Sequence, residues 1–166
     1  MTNEANKKKL SDDTKERIKA LSQEIKDTST AEYYYRCGIL YNTGCDPESA
    51  IQSYSKAIEL NPEYVNAYLG RGGCYDEKRE YSKAIKDYSL MIEIKPECGT
   101  GYLNRGISYY EQEKYLEARE DLEKYLNIEE YNEKRMKYVG PRCDGVDIAR
   151  KILKNIENKQ SEKTND

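Results

Sequence analysis

The sequence predicts an all-α array of repeated helical hairpins, on three observations. A unit of 34 residues is written three times between Ala31 and Glu130: Gly38, Gly72 and Gly106 fall at equal steps, as do Tyr41, Tyr75 and Tyr109, then Ala50, Ala84 and Ala118. Self-similarity at a fixed period of this length marks a solenoid. Within a unit, Tyr68, Gly72 and Tyr75 lie four and three apart, as do Ala84, Tyr88 and Met91, so each segment presents one helix face. Pro62 and Pro96 close the first two units, where proline stops a helix.

Tyr34, Tyr68 and Tyr102 keep the same step, and Tyr54 and Tyr88 are followed by Leu122. Residues at these positions resemble the tetratricopeptide repeat, over about 100 of the 166 residues. The resemblance implies an α-solenoid of three tandem helix-turn-helix units, 31–64, 65–98 and 99–130, with capping helices at both ends. Three positions depart from the family pattern. Pro47 stands where Tyr81 and Tyr115 later supply a large turn residue, Tyr125 replaces a small residue, and Glu130 replaces the closing proline.

In chain order, residues 1–10 are polar and expected to be disordered. An N-terminal capping helix is expected over 11–28, with Ser11 as its cap, Asp12 and Asp13 in its first turn, and Ile18, Leu21 and Ile25 as its apolar stripe. Ser29 and Glu32 read as a capping box for the first repeat helix, and Asp46-Pro47 starts the second. Beyond Glu130 the frame is lost. Within 131–158 the sequence predicts a short helix over 132–139, broken by Gly140 and Pro141, and then a C-terminal capping helix from Asp144. Val146, Ala149, Ile152, Leu153 and Ile156 form the apolar face of that last helix, with Ile148 at its edge. The tail, 159–166, is expected to be disordered.

Composition narrows the function classes. Charged residues make up 36% and hydrophobic residues 37%, which suits a thin array rather than a thick globule. Tyrosine does all the aromatic packing: there are 17, with no Phe or Trp. Five cysteines without C-x-x-C spacing, and no histidine, argue against a zinc site and against a secreted disulfide framework. No apolar run follows Lys7, Lys8 and Lys9, and no stretch is long enough to span a membrane, so a cytoplasmic protein is expected. Residues 31–130 hold 19 acidic and 12 basic side chains between mildly basic ends. An acidic body favours a neutral or basic partner over nucleic acid.

Catalysis is not expected. An enzyme needs a poised acid, base, nucleophile or metal, and the G-x-G of Gly70-Arg71-Gly72 falls inside a repeat helix rather than after a strand. No cofactor is expected either. By resemblance to the family, one face of each unit's first helix lines a concave groove for a peptide. The matching residues are Tyr35 and Ile39, Leu69 and Gly73, and Leu103 and Ile107, each pair one turn apart. Asn66 and Asn104 are placed to hold a partner's backbone, because an amide both donates and accepts. Glu32, Asn42, Asp76, Thr100 and Tyr110 form the rim.

The expected function is therefore a non-catalytic adaptor that binds a neutral or basic peptide segment with apolar anchors. Tyr35, Ile39, Gly70, Thr100 and Asn104 stand where the co-chaperone branch of the family carries its carboxylate-holding lysines, arginine and asparagines, so that clamp is not expected. Two alternatives stay open: a dedicated chaperone, similar in layout to the type III secretion chaperones built from this repeat, and a self-assembling structural array. The small residues also imply a test. Gly72 and Ala84 are expected to let helix backbones approach closely, so Ala84→Leu should cost about 1–3 kcal/mol through overpacking, read as a lower denaturant midpoint.

Overall fold

The computed structural model describes residues 2–25, 29–136 and 144–163. Its helices are α1 (Thr2–Glu24), α2 (Ala31–Thr43), α3 (Pro47–Leu60), α4 (Val65–Glu77), α5 (Tyr81–Ile94), α6 (Gly99–Glu111), α7 (Tyr115–Met136) and α8 (Asp144–Lys163). No strand occurs among the described residues. The chain divides into two compact units, Met1–Arg79 and Glu80–Asp166, so that the boundary falls in the turn of the second repeat.

The helix ends follow from local chemistry. The Thr30 hydroxyl accepts a hydrogen bond from the Tyr33 amide at 3.2 Å and caps α2. The cap is thus one residue beyond the Ser29 that spacing suggests, and Glu32 instead accepts a bond from the Tyr64 hydroxyl. At α3 the Asp46 carboxylate accepts from the Ser49 amide at 3.1 Å, and Pro47 occupies the first turn, where no amide proton is missed. Helices α3 and α5 both end two residues before a proline.

The three tight turns share one device. Cys45, Arg79 and Glu113 have φ of 56°, 58° and 60°, at successive steps of the repeat. In the first, the Asp46 amide bonds back to the Tyr41 carbonyl and the Cys45 amide to that of Asn42, both at 3.0 Å. The third repeats this with Lys114 to Tyr109 and Glu113 to Tyr110. This is a Schellman closure, in which a left-handed residue satisfies the last helix carbonyls.

Three expectations at the ends are corrected. Residues 2–10, expected to be disordered, continue α1 without a break, in keeping with their Glu, Ala and Lys, which favour helix. Of the short helix expected over 132–139, residues 132–136 are instead the end of α7, which runs on to Met136 because Glu130 supplies a backbone amide where Pro62 and Pro96 do not, and 137–139 lie outside the described residues. Gly140, Pro141 and Cys143 lie outside the described residues. The tail expected from Lys159 is the last part of α8 as far as Lys163.

In the first unit, the buried Tyr54 is the wedge around which the helices assemble. A Cβ built on Gly38 of α2 would lie 2.5 Å from its ring, and one on Gly70 of α4 2.6 Å. Ala50, Ala57, Ala67 and Cys74 complete this core. On the other side of α2, α1 buries Leu21 and half-buries Ile18 and Ile25, as its stripe predicts.

The second unit packs Leu122, Tyr125, Val146 and Ala149 together. Gly106 of α6 meets Leu122 and the Ala118 carbonyl of α7 at 3.0–3.3 Å from a built Cβ, which is the close backbone approach that small residues permit. Arg105 ties three helices. Its guanidinium donates to both carboxylate oxygens of Asp121 on α7, at 2.7 and 2.8 Å, and to the Ser89 hydroxyl on α5 at 2.9 Å. The same side chain lies over the rings of Tyr102 and Tyr109. A bidentate charged pair with satisfied donors is the form in which ions are buried without a large penalty.

Burial also sets a pH response. It pushes the Cys74 thiol from an ordinary value near 9 up to about 11. The unfolded chain releases this proton first, so the contribution to stability is complete below pH 9 and is lost as the pH rises to 11. Stability should fall across that window by up to about 2 kcal/mol from this group. Urea titrations at pH 8.5 and 11 should show a smaller difference in Cys74→Ala than in the wild type.

Candidate functional site

The predicted peptide-binding residues divide between the two units. In the first, α2 and α4 run side by side. The Tyr64 hydroxyl donates to Glu32 at one end, and the Cys74 thiol lies 3.4 Å from the Asn42 amide oxygen at the other. Tyr35 is held between them rather than presented freely. Its ring centroid is 5.1 Å from that of Tyr64 and 5.9 Å from that of Tyr54, and it is half-buried. Ile39, one turn on, is 39% exposed and lines a cleft together with residues of α1 and α2.

Helix α4 presents the freer face. Asn66 is exposed, Leu69 is half-buried, and a Cβ built on Gly73 meets nothing within 4 Å. Gly73 therefore differs from Gly70, whose missing side chain makes room for Tyr54. The two are one turn apart in register, but only Gly73 opens onto space.

In the second unit, the C-terminal helix takes part of the predicted strip. Leu103 packs with Val146 and Ala149 of α8. The Lys159 ammonium lies 5.6 Å from the Tyr110 ring centroid and 4.9 Å from that of Tyr115, and donates to the Tyr115 hydroxyl at 2.7 Å. That bond, with the nearby phenol rings, raises the lysine's pKa. Arg119 adds a bond to Gln160 at 2.9 Å. Ile107 and Asn104 are half-buried, and the Asn104 carbonyl accepts from the buried Ser108 hydroxyl at 3.0 Å. Lys159 carried no signal in the sequence, because α8 lies outside the repeat frame.

No group of three or more His, Cys, Asp or Glu side chains converges as a metal site among the described residues. Cys37 and Cys74 are buried with raised thiol pKa values, the reverse of an activated nucleophile. No helix of the described residues is long and apolar enough to cross a membrane.

The glycines yield a paired test. Gly73→Ala should stabilise the protein by about 0.5–1 kcal/mol, since alanine favours the helix and meets no neighbour. Gly38→Ala forces the Tyr54 ring to move and should cost about 1–3 kcal/mol. Thermal melts of the two variants should shift in opposite directions.

Comparison with known proteins agrees with this geometry. The family model described as TPR repeat matches residues 47–78, and that described as tetratricopeptide repeat matches residues 65–98. An uncharacterized protein of Methanocaldococcus jannaschii is 41% identical over 56 residues, 30% of this chain. The chain spans 65% of that relative's length, and far less of two other curated relatives it matches. Among solved structures, MamA is 33% identical with a TM-score of 0.67, over 75% of this chain and 72% of its own. The first TPR of Spaghetti (RPAP3), solved bound to the HSP90 peptide SRMEEVD, is 21% identical with a TM-score of 0.66, over 79% and 96%. That second likeness is one of fold.

Proposed function

The chain belongs to the tetratricopeptide repeat proteins, and on that premise we propose that it is a non-catalytic interaction module that holds a peptide segment of a partner protein against the first helices of its repeats. The observation that carries this reading is the α4 face, where Asn66 is exposed beside the partly accessible Leu69 and the open backbone at Gly73. An asparagine amide pairs with an extended peptide backbone, and the apolar floor beside it receives an alternate side chain. The solved Spaghetti domain carries a peptide on the same fold.

The reading is narrower than the full strip of predicted contacts. Tyr35 and Leu103 support helix packing, and Tyr110 is shared with Lys159. Asn66, Leu69 and Gly73 of the first unit are therefore the contacts on which the proposal rests. The acidic repeat body favours a neutral or basic segment around the apolar anchor.

An immobilised peptide library probed with wild type and with a Leu69→Glu/Gly73→Glu variant tests the proposal. The neutral and basic peptides retained by wild type should weaken at least about tenfold in the variant, the scale of one lost apolar anchor. Unchanged binding by a variant with wild-type helical circular dichroism would place the site elsewhere.

A further inference from the structure

Between α1 and α2 lies a cleft of about 320 Å³, lined by Arg17, Ala20, Leu21, Glu24, Arg36, Ile39 and Leu40. Its origin is visible in the repeat register. Gly44 meets Thr14, the Lys78 ammonium bonds Glu48, and the Gln112 amide bonds Ser82, so three turns contact the preceding helix at positions 34 residues apart. Helix α1 thus packs on α2 in the register of a repeat's second helix. In that register Ala20 stands where α3, α5 and α7 carry Tyr54, Tyr88 and Leu122, all buried. Arg17 and Glu24 stand where α3 carries Ile51 and Ile58. A small residue in place of the wedge leaves a hollow, and charged residues in place of isoleucine line its walls.

The hollow has a defined chemistry. Leu21 and Leu40 make an apolar floor, Ala20 and the exposed Ile39 its rims. Glu24 accepts from Arg36 at 3.2 and 3.5 Å, so that carboxylate is already engaged. Arg17 is exposed and makes no ion pair with any described residue. An apolar hollow beside a guanidinium that no described carboxylate engages complements an aliphatic side chain carried next to a carboxylate.

We propose that the α1–α2 cleft is a second peptide site, selective for an acidic, aliphatic segment of a partner protein. It differs in place and in charge preference from the α4 face, so one chain holds two segments of opposite character. The aliphatic side chain enters between Ala20 and Ile39, and its flanking carboxylate pairs with Arg17.

The test uses fluorescence anisotropy on the full chain, with a labelled peptide of alternating leucine and glutamate and a matched one of leucine and lysine. The acidic peptide should bind more tightly. Arg17→Glu should weaken it about tenfold, the scale of one charge-assisted contact. Ala20→Tyr, which restores the bulk found at Tyr54, should weaken it by a similar factor by filling the hollow. Circular dichroism keeps the variants interpretable, since both substitutions are at exposed helix positions. Failure of the acidic peptide to bind, equal binding of the basic peptide, or full retention by both variants overturns the proposal. So does loss of acidic-peptide binding in Leu69→Glu with retention in Arg17→Glu, which would assign the peptide to α4.

Discussion

Everything in the first unit depends on one steric relation, a tyrosine ring seated where two helices have no side chain. Gly38 and Gly70 both face Tyr54, from α2 and from α4. The glycines cost helix propensity, about 1 kcal/mol each. The ring offsets that cost by burying a large aromatic surface at a point that fixes the spacing of both neighbours. The second unit solves the same problem with an aliphatic residue, Leu122 against Gly106. Arg105 then adds polar order, gripping Asp121 and Ser89 from between two tyrosine rings.

The fold was legible because its signals are repeated. A glycine at Gly38, Gly72 and Gly106, with alanines at Ala50, Ala84 and Ala118, marks helix contacts by period alone. Where a feature occurs once, the sequence was mute or misleading. The length of α7 depends on one missing proline, whose consequence for the next six residues has no periodic trace. The membership of α1 in the repeat register was hidden because its packing positions changed identity, to Ala20 and Leu21 where α3 has Tyr54 and Ser55. The Arg105 network was in principle readable, since Arg71 and Ser55 form the same bond one step earlier, at 2.9 Å.

Of the candidate site, the sequence carried the positions but not their surroundings. The period identifies which face of each first helix is equivalent to which, but equivalence of position is not equivalence of exposure. Tyr35 is gripped by neighbouring rings, Leu103 by α8, and Ile39 lies beside α1, while Gly73 opens to space. The differences at Leu103 and Ile39 come from the flanking helices, which carry no repeat pattern and whose docking depends on side chains such as Lys159.

The composition of helix α4 has a consequence for local stability. It carries Gly70, Gly72 and Gly73 within 13 residues, and the residue before it, Tyr64, makes no side-chain cap bond. A segment so poor in helix propensity has no stability of its own, because nucleation is already unfavourable in good helix formers. Its order is borrowed from the helices it packs on, above all through the Tyr54 ring that Gly70 faces. The face on which Gly73 leaves the backbone open is thereby built on a helix with little order of its own. Any molecule that held only the ordered form of this helix would stabilise it through that same local equilibrium.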